Sequence, residues 1–363
     1  MKQNGIIDYN KQIDGLRCFA VFGVLICHFI RFNNVYMGSI PFGYGVNLFF
    51  VISGYLITKI LLVNKEKIQT KKTNFKNVIQ SFYFRRTLRI FPIYYLTILY
   101  LIVINFQNTR SVWVWLITYT TNFYISFDHP YIGSFNHLWS LAVEEQFYLI
   151  WPFLILLIPQ KHIFKYIIGI IIGSVVFKVG YYLILGPSTA INALTFSCAD
   201  SLGLGALISY LTLYNKKILS KINNVKYIVL ISFLSFYFFL VFSKHYPIIS
   251  SVTSNFLFSI CAFFAISKAS EFKYTSITKW ILENPIIIHL GKISYGIYLY
   301  HFFMPDLYNE IVEKFPNSFL LQSHMRTTFL FIATIIVAEL SWFIIERPLL
   351  SLKSRYYIPI KTT

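Results

Sequence analysis

The chain has 363 residues, of which 56% are hydrophobic and 13% charged, and its formal net charge is +18. Its mean hydropathy of +0.60 excludes an ordinary soluble domain and is typical of a membrane protein. In a soluble protein, such a positive charge would favour nucleic-acid binding. Here the basic residues are explained by membrane topology and by anionic lipid, so we expect membrane lipids as partners and no nucleic acid.

Ten apolar runs are long enough to be considered as membrane spans, since the hydrocarbon core is about 30 Å thick. They predict an all-α, polytopic transmembrane helix bundle of about ten spans. The predicted spans are 17–32, 43–63, 90–106, 138–158, 166–185, 195–213, 227–243, 249–267, 290–304 and 327–345.

The basic residues predict the orientation of this bundle. If the amino terminus lies inside, most of the 32 lysines and arginines fall in inner segments, as is typical of cytoplasmic loops. Both termini are therefore predicted to be cytoplasmic. The longest inner stretch, Lys65 to Arg89, predicts a loop followed by a short amphipathic helix on the membrane surface before the third span.

The first span, within "DGLRCFAVFGVLICHF", carries two ionisable residues, Arg17 and His28. Eleven helical steps of about 100° return to within about 20° of the starting direction and rise roughly 16 Å. The two side chains therefore share one helix face. They are either an interfacial anchor and a satisfied boundary histidine, or a functional pair, which is the default for ionisable groups within a span.

The second span, "VNLFFVISGYLITKILL", contains the small or weakly polar residues Asn47, Ser53, Gly54 and Thr58. Such residues let membrane helices approach closely, so packing is favoured over substrate contact. Ser53 has no nucleophile-elbow context, and we do not expect it to act as a nucleophile.

The segment "FYFRRTLRIFPIYY" places Arg85, Arg86 and Arg89 just before the third span. Arg86 and Arg89 are three residues apart and would face the same way on a helix. This geometry suits the binding of phosphate groups. The alternative interpretation is that these arginines only set the topology.

The strongest local signal is "NHLWSLAVEEQFYLIWP", in which Glu144 and Glu145 lie side by side in an apolar run. A carboxylate facing lipid is costly, so at least one of them is expected to face a polar cavity. The alternative is a structural salt bridge to a neighbouring helix.

The segment "SCADSLGLGALIS" places Asp200 in the sixth span, where Gly203 and Gly205 would permit close packing. The carboxylate could bind substrate or join helices. Lys178 has no assigned role and could snorkel to the membrane surface. The four cysteines lie in or beside predicted spans and indicate neither a disulfide framework nor a metal cluster.

The segment "GKISYGIYLYHFF" places Ser294, Tyr298 and His301 at positions i, i+4 and i+7. On a helix these three side chains form one stripe. They could contact substrate or form hydrogen bonds between helices.

Five segments in this order resemble the acyltransferase 3 family of multispanning membrane acyltransferases, which includes bacterial O-acetyltransferases of surface polysaccharides. The segments are Arg17 followed by ten residues and His28, "FFVISGYLIT" at 49–58, "RRTLRIFPIYY" at 85–95, "HLWSLAVEEQFYLIWP" at 137–152 and "SYGIYLYH" at 294–301. The resemblance predicts a single membrane acyltransferase domain over 1–363, with a core at about 13–348 and no appended extracellular domain.

The resemblance implies a donor, an acceptor and a location. The donor would be acyl-CoA, usually acetyl-CoA, used from the cytoplasm as a substrate; no permanently bound cofactor and no metal are expected. The acceptor would be a hydroxyl of a cell-surface or lipid-linked carbohydrate, reached from the bacterial inner (cell) membrane. The oligomeric state is not indicated. Many members have an arginine where this chain has Cys198, so an ion pair to Asp200 is either missing or made by another residue.

These observations lead to a hypothesis about roles. Arg86 and Arg89, helped by Arg85 and Arg17, would bind the phosphates of coenzyme A. His28 would be the general base for the acceptor hydroxyl. Glu144 or Glu145 would orient its imidazole or stabilise its charge, and a covalent acyl-histidine is the alternative to direct transfer. The remaining candidates for substrate contact or structural support are Ser53, His137, Ser140, Asp200, Tyr298 and His301.

A membrane transporter or exporter of a small anionic or glycan substrate is the alternative function, because buried ionisable residues suit that class equally well. Against it, the chain shows no obvious internal repeat and no matching pair of interrupted spans.

Overall fold

The computed structural model describes residues 9–30, 41–127, 133–186, 189–225, 227–242, 247–315 and 323–352. These residues form α-helices joined by short turns, and no β-strand occurs among them. The helices are α1 (Lys11–Phe29), α2 (Gly45–Gln69), α3 (Phe75–Val103), α4 (Trp113–Ile117), α5 (Thr121–Ser126), α6 (Trp139–Leu157), α7 (Ile163–Leu185), α8 (Thr195–Tyr214), α9 (Lys216–Asn223), α10 (Ile228–Phe242), α11 (Pro247–Ser270), α12 (Ser276–Leu282), α13 (Pro285–Lys292), α14 (Ser294–Tyr300), α15 (Met304–Lys314), α16 (Ser323–Ser341) and α17 (Arg347–Ser351).

In the described ranges, 7 helical segments are long and apolar enough to cross a membrane, or 8 if the bent pair α9 and α10 is one span. They are Lys11–Phe29, Gly45–Gln69, Phe75–Val103, Gly133–Leu157, Gln160–Leu185, Thr195–Tyr214 and Met325–Ser351. The prediction of an all-α polytopic bundle is confirmed. The count of ten spans and the cytoplasmic position of both termini stay predictions.

The predicted span at 290–304 is wrong as a single helix. It is divided among α13, α14 and a 3-10 turn, His301–Phe303, that precedes α15. Pro305 lies in the first turn of α15 and has no N–H, so α15 cannot continue the hydrogen-bond ladder of α14. The division places His301 at the start of a 3-10 turn instead of inside an α-helix.

The short surface helix predicted before the third span is instead the first part of α3. This helix begins after Asn74, whose side-chain oxygen accepts a hydrogen bond from the Asn77 N–H at 2.8 Å. It continues without a break through Arg89 into the apolar part of the same helix. The arginines of this segment therefore belong to the same rigid element as the third span.

Helices α2 and α8 cross with their backbones in contact. A Cβ atom at Gly54 would overlap the Leu202 carbonyl oxygen, and one at Gly205 would overlap the Val51 carbonyl oxygen. Only glycine permits so close an approach at these two positions. The close packing predicted for these glycines is confirmed, and it brings the polar side chains of α2 into the centre of the bundle.

A buried salt bridge joins α7 to α8. Lys178 pairs with Asp200, and each side chain is 1% exposed. Asp200 also accepts a hydrogen bond from the Ser201 N–H at 2.7 Å. Lys178 is therefore paired inside the protein, and the idea that it snorkels is wrong. Asp200 therefore has an ion-pair partner although position 198 is a cysteine, and that partner is Lys178 of the neighbouring helix α7.

Candidate active site

Two histidines from opposite ends of the chain are in direct contact. His28 is in the last turn of α1 and is exposed, whereas His301 is 0% exposed. His28 Nδ1 lies 2.9 Å from His301 Nε2, and the two rings stack with centroids 5.0 Å apart. His301, expected only as a substrate or structural group, is thus the immediate partner of His28.

The contacts of His301 determine where the neutral pair carries its protons. His301 Nδ1 lies 2.6 Å from the Tyr298 carbonyl oxygen, which can only accept a hydrogen bond. The proton of His301 is therefore at Nδ1, and its Nε2 accepts a hydrogen bond from the Nδ1–H of His28. It follows that the lone pair of His28 is at Nε2, where it is free to act as a base.

A cavity of ≈ 160 Å³ adjoins this pair, and we call it the histidine chamber. Residues around it include Cys27, His28, Asn136, His137, Trp139, Tyr298 and Phe302. His137 is held in its wall, because its Nε2 donates to the Leu299 carbonyl oxygen at 3.0 Å. The His137 ring also stacks on Phe302 with centroids 5.0 Å apart. The chamber thus combines one exposed imidazole with rigid aromatic walls.

One stripe of side chains leads from the histidine chamber along α6. His137, Ser140, Glu144 and Tyr148 follow one another at intervals of three, four and four residues, which keeps them on one helix face. The hydroxyl groups of Ser140 and Tyr298 are 2.6 Å apart, so this stripe faces α14 at its start. The predicted stripe on α14 and the stripe on α6 therefore meet inside the bundle.

The two adjacent glutamates have different surroundings. Glu144 accepts a hydrogen bond from the Ser53 hydroxyl at 2.6 Å, and Tyr148 donates to the same Ser53 oxygen at 3.1 Å. One carboxylate oxygen of Glu145 is buried with no hydrogen-bond partner among the described residues. Glu144 is therefore the member of the pair that faces the polar interior.

His301 occupies the Nδ1 side of His28, where a glutamate was expected to orient the ring, and stabilisation of the His28 charge by Glu144 or Glu145 stays a prediction. His137 lies in the 3-10 turn Gly133–Leu138 that precedes α6, and Glu144 lies within α6, four residues beyond Ser140 and about 6 Å further along the helix axis. At that level it faces α2 and bonds to Ser53.

A narrow cavity of ≈ 60 Å³ follows the stripe, and we call it the narrow passage. Its lining includes Arg17, Val46, Ser53, Arg86, Arg89, Ser140, Glu144, Tyr148, Ser294 and Tyr298. The guanidinium carbon of Arg86 lies 5.0 Å from the centroid of the Tyr148 ring, a cation–π contact. A guanidinium nitrogen of Arg17 lies 3.6 Å from a carboxylate oxygen of Asp14. Positive charge is therefore concentrated at the end of the passage remote from His28.

Two wider cavities open beside these arginines. The first, the arginine cavity, is lined in part by Arg85, Arg86 and Arg89. The second, the mixed-charge cavity, is lined in part by Arg17, Arg85 and Arg89.

Shared wall residues connect the cavities. Arg86 and Arg89 line both the arginine cavity and the narrow passage. Val46 and Tyr298 line both the narrow passage and the histidine chamber. The three cavities therefore adjoin one another in a row from the arginines to His28, which we call the route, and α1 carries Arg17 beside one part of it and His28 beside another.

This route brings together all of the predicted site residues except Glu145, Asp200 and His301, and His301 lies directly behind His28. Sequence reasoning missed Tyr148 and Phe302. Tyr148 could have been found, because it lies four residues after Glu144 on the same helix face. No set of three His, Cys, Asp or Glu side chains in the described part of the chain is arranged to hold a metal ion.

Known proteins share this sequence over most of its length. An acyltransferase domain family matches residues 10–342. A protein of Staphylococcus aureus (strain COL), whose name is "putative O-acetyltransferase", is 32% identical over an aligned length of 387. The alignment covers 96% of this chain and 59% of that protein. Peptidoglycan O-acetyltransferase OatA of Listeria monocytogenes is 30% identical over 368 residues, covering 94% of this chain and 56% of the relative. No solved structure matches the chain.

The chain spans less than two thirds of the length of these curated relatives, at 59% and 56%. The family match, however, extends over residues 10–342 and includes every segment on which the resemblance was based. The resemblance is therefore confirmed: this chain is a multi-pass membrane protein that belongs to the acyltransferase 3 family.

Proposed function

We propose that this protein transfers an acyl group, usually acetyl, from acyl-CoA at the arginine end of the bundle to a carbohydrate hydroxyl at His28. The observation that carries the proposal is the row of three adjoining cavities: Arg86 and Arg89 line the arginine cavity and the narrow passage, and Val46 and Tyr298 line the narrow passage and the histidine chamber. One end of this route is rich in cations, and the other holds a histidine with a free Nε2.

The dimensions of the route favour acyl transfer over transport. The narrow passage is the smallest of the three cavities, at ≈ 60 Å³ beside ≈ 160 Å³ and ≈ 320 Å³, so the route has least room between the arginines and His28. An extended pantetheine arm is thin and unbranched near its thiol, and it can thread a constriction while its nucleotide remains outside. The route therefore suits a donor that inserts its reactive end and withdraws it.

The chemistry at His28 follows from its protonation. His28 Nε2 removes the proton of the acceptor hydroxyl as that oxygen attacks the carbonyl carbon of the thioester. The new C–O bond forms, the C–S bond breaks, and the proton on His28 passes to the departing sulfur of coenzyme A. The products are the acyl ester and free coenzyme A, and His28 regains its starting state.

His301 supports this cycle without touching the substrate. Its Nε2 accepts the hydrogen bond of the His28 Nδ1–H, so it favours the positive charge that His28 carries after taking the proton. In this proposal, Arg17, Arg86 and Arg89 bind the donor, and Glu144 balances part of their charge within the narrow passage.

The acceptor is proposed from the relatives. The Listeria monocytogenes relative is named a peptidoglycan O-acetyltransferase. We accordingly place a glycan hydroxyl at the histidine chamber, on the far side of the bacterial cell membrane, and acyl-CoA on the cytoplasmic side. A lipid-linked glycan would satisfy the same geometry.

The test uses the full chain in proteoliposomes with radiolabelled acetyl-CoA and either lipid-linked glycan or peptidoglycan fragments. His28→Gln should reduce acyl transfer by at least about 100-fold, because it removes a general base. His162→Gln, which changes a histidine in the turn Gln160–His162, is the matched control and should retain transfer. Full transfer by His28→Gln at normal protein levels would reject the proposal.

A further inference from the structure

The arginine cavity is lined by positive charges without negative ones. Its five cations are Lys67, Lys72, Arg85, Arg86 and Arg89, and no carboxylate is found among the described residues that line it. Its volume of ≈ 320 Å³ is several times that of the adjoining passage, at ≈ 60 Å³. This cavity therefore has more room for a bulky polyanion than the passage that adjoins it.

The charges in this cavity repel one another. Lys67 lies near the end of α2, Arg85 lies on α3, and both side chains line the arginine cavity. The ammonium group of Lys67 is repelled both by Arg85 and by Lys72 in the connecting turn. Like charges collected in one concave site raise the local potential, and a bound anion relieves that repulsion.

The neighbouring mixed-charge cavity has different electrostatics. It too contains cations, including Lys59 and Lys292, but Asp14 and Glu346 also line it. Lys59 donates a hydrogen bond to the Tyr55 hydroxyl at 3.0 Å. The carboxylates of Asp14 and Glu346 already offset part of the positive charge in the mixed-charge cavity. The arginine cavity is therefore the better site for phosphate.

The order of residues along the arginine cavity matches the order of groups along coenzyme A. Arg86 and Arg89 line both this cavity and the narrow passage, whereas Lys67 and Lys72 do not line the passage. In coenzyme A the pantetheine arm is followed by the diphosphate and then by the ribose with its 3′-phosphate. An arm inserted in the passage thus puts the diphosphate at Arg86 and Arg89, and the next phosphate toward the lysines.

We infer that Lys67 and Lys72 form a subsite for the 3′-phosphate of the donor nucleotide. This inference rests on the proposed use of acyl-CoA. The subsite makes the protein selective for carriers that bear this phosphate, and the two arginines alone would not distinguish coenzyme A from its 3′-dephosphorylated form. Asn64 and Asn77, in the same wall, can add hydrogen bonds from their amide groups.

The experiment compares the binding of coenzyme A and 3′-dephospho-coenzyme A to the purified full chain by calorimetry, so it needs no acceptor. The natural protein should bind coenzyme A more tightly. The double variant Lys67→Gln with Lys72→Gln should lose that preference by weakening coenzyme A alone, by on the order of tenfold or more for each lysine. Binding of the dephosphorylated form should change little.

Two sets of variants keep the result specific. Lys67→Arg with Lys72→Arg retains both charges and should retain the preference for coenzyme A. That result would exclude a general structural effect of substituting these two positions. Lys59→Gln with Lys292→Gln removes two charges from the mixed-charge cavity and should leave the preference unchanged.

Each alternative outcome has a distinct meaning. Equal affinity of the natural protein for the two nucleotides, or a preference that survives Lys67→Gln with Lys72→Gln, overturns the subsite while leaving the proposed function intact. Loss of the preference only in the Lys59 and Lys292 variant moves the phosphate to the mixed-charge cavity and also overturns it. No binding of either nucleotide rejects the acyl-CoA donor itself and the subsite with it.

Discussion

The imidazole rings of His28 and His301 meet nitrogen to nitrogen at 2.9 Å, although 273 positions separate them in sequence. The carbonyl oxygen of Tyr298 fixes the proton of the buried ring and so leaves the outer ring with its lone pair at Nε2. The Tyr298 carbonyl group thus makes His28 a proton acceptor in the wall of the histidine chamber, although it is hydrogen-bonded to His301 and not to His28 itself.

His301→Ala should lower the maximal transfer rate by about 10-fold to 100-fold with little effect on the KM for acyl-CoA, since positioning a general base accounts for part of its contribution. His301→Gln should retain more activity, because its side-chain oxygen can accept the hydrogen bond of the His28 Nδ1–H. Steady-state kinetics in proteoliposomes measure both effects.

A spectroscopic measurement separates positioning from mere packing at His301. Nitrogen NMR of ¹⁵N-histidine-labelled protein, with His28→Gln used to assign the signal, should show the proton of His28 on Nδ1 in the natural protein. In His301→Ala the proton should redistribute toward Nε2. An unchanged tautomer in that variant would contradict the positioning role.

The two adjacent glutamates should respond differently to the loss of charge. Glu144→Gln should lower acyl transfer by about tenfold or more, because Glu144 faces the arginines of the narrow passage and accepts from Ser53. Glu145→Gln should have a much smaller effect and should leave the melting temperature unchanged or higher, because a neutral amide costs less to bury without a partner than a carboxylate does. Equal losses in the two variants would refute this distinction.

Replacing Arg86 and Arg89 together by glutamine should raise the KM for acyl-CoA by about 100-fold, because each arginine forms charge-assisted hydrogen bonds with phosphate. The rate at saturating donor should change far less, since neither residue lies in the histidine chamber. Lys161→Gln removes a charge from the turn Gln160–His162 and serves as the control. Unchanged affinity for the donor would rule out the phosphate role of these arginines.

The Lys178 and Asp200 pair should behave as a buried ion pair in stability measurements. Lys178→Met or Asp200→Leu alone leaves an unpaired charge inside the bundle and should destabilise the protein by about 3–5 kcal/mol. The double variant should recover much of that loss. Thermal unfolding in detergent micelles tests this, and additive losses would show that the two charges do not depend on each other.

Features that repeat within one helix were predictable from the sequence. The shared face of Arg17 and His28, the stripe of Ser294, Tyr298 and His301, and the close approach at Gly54 all follow from helical periodicity or from small side chains. Contacts between helices were not predictable in this way. The choice between Glu144 and Glu145 depends on where α2 lies, and the partner of Asp200 depends on the alignment of α7 with α8.

The break before Pro305 shows a second reason for the incomplete prediction. Hydropathy alone joined residues 290–304 into one span, because it measures apolar content and is insensitive to interruptions of the hydrogen-bond ladder. That interruption sets His301 in the 3-10 turn after α14, where its Nε2 can reach His28. The sequence marked both histidines as candidates, but their contact arises from the tertiary fold.

The constriction between the arginines and the histidine chamber has a consequence for the cell as well as for the reaction. If the protein works as proposed, a donor arm that enters the narrow passage and withdraws would leave the walls of that passage in place, and the acceptor would not need a continuous pore. Ion gradients across the membrane could then persist during turnover. Only the acyl group would leave the cytoplasmic side, and the nucleotide carrier would stay there.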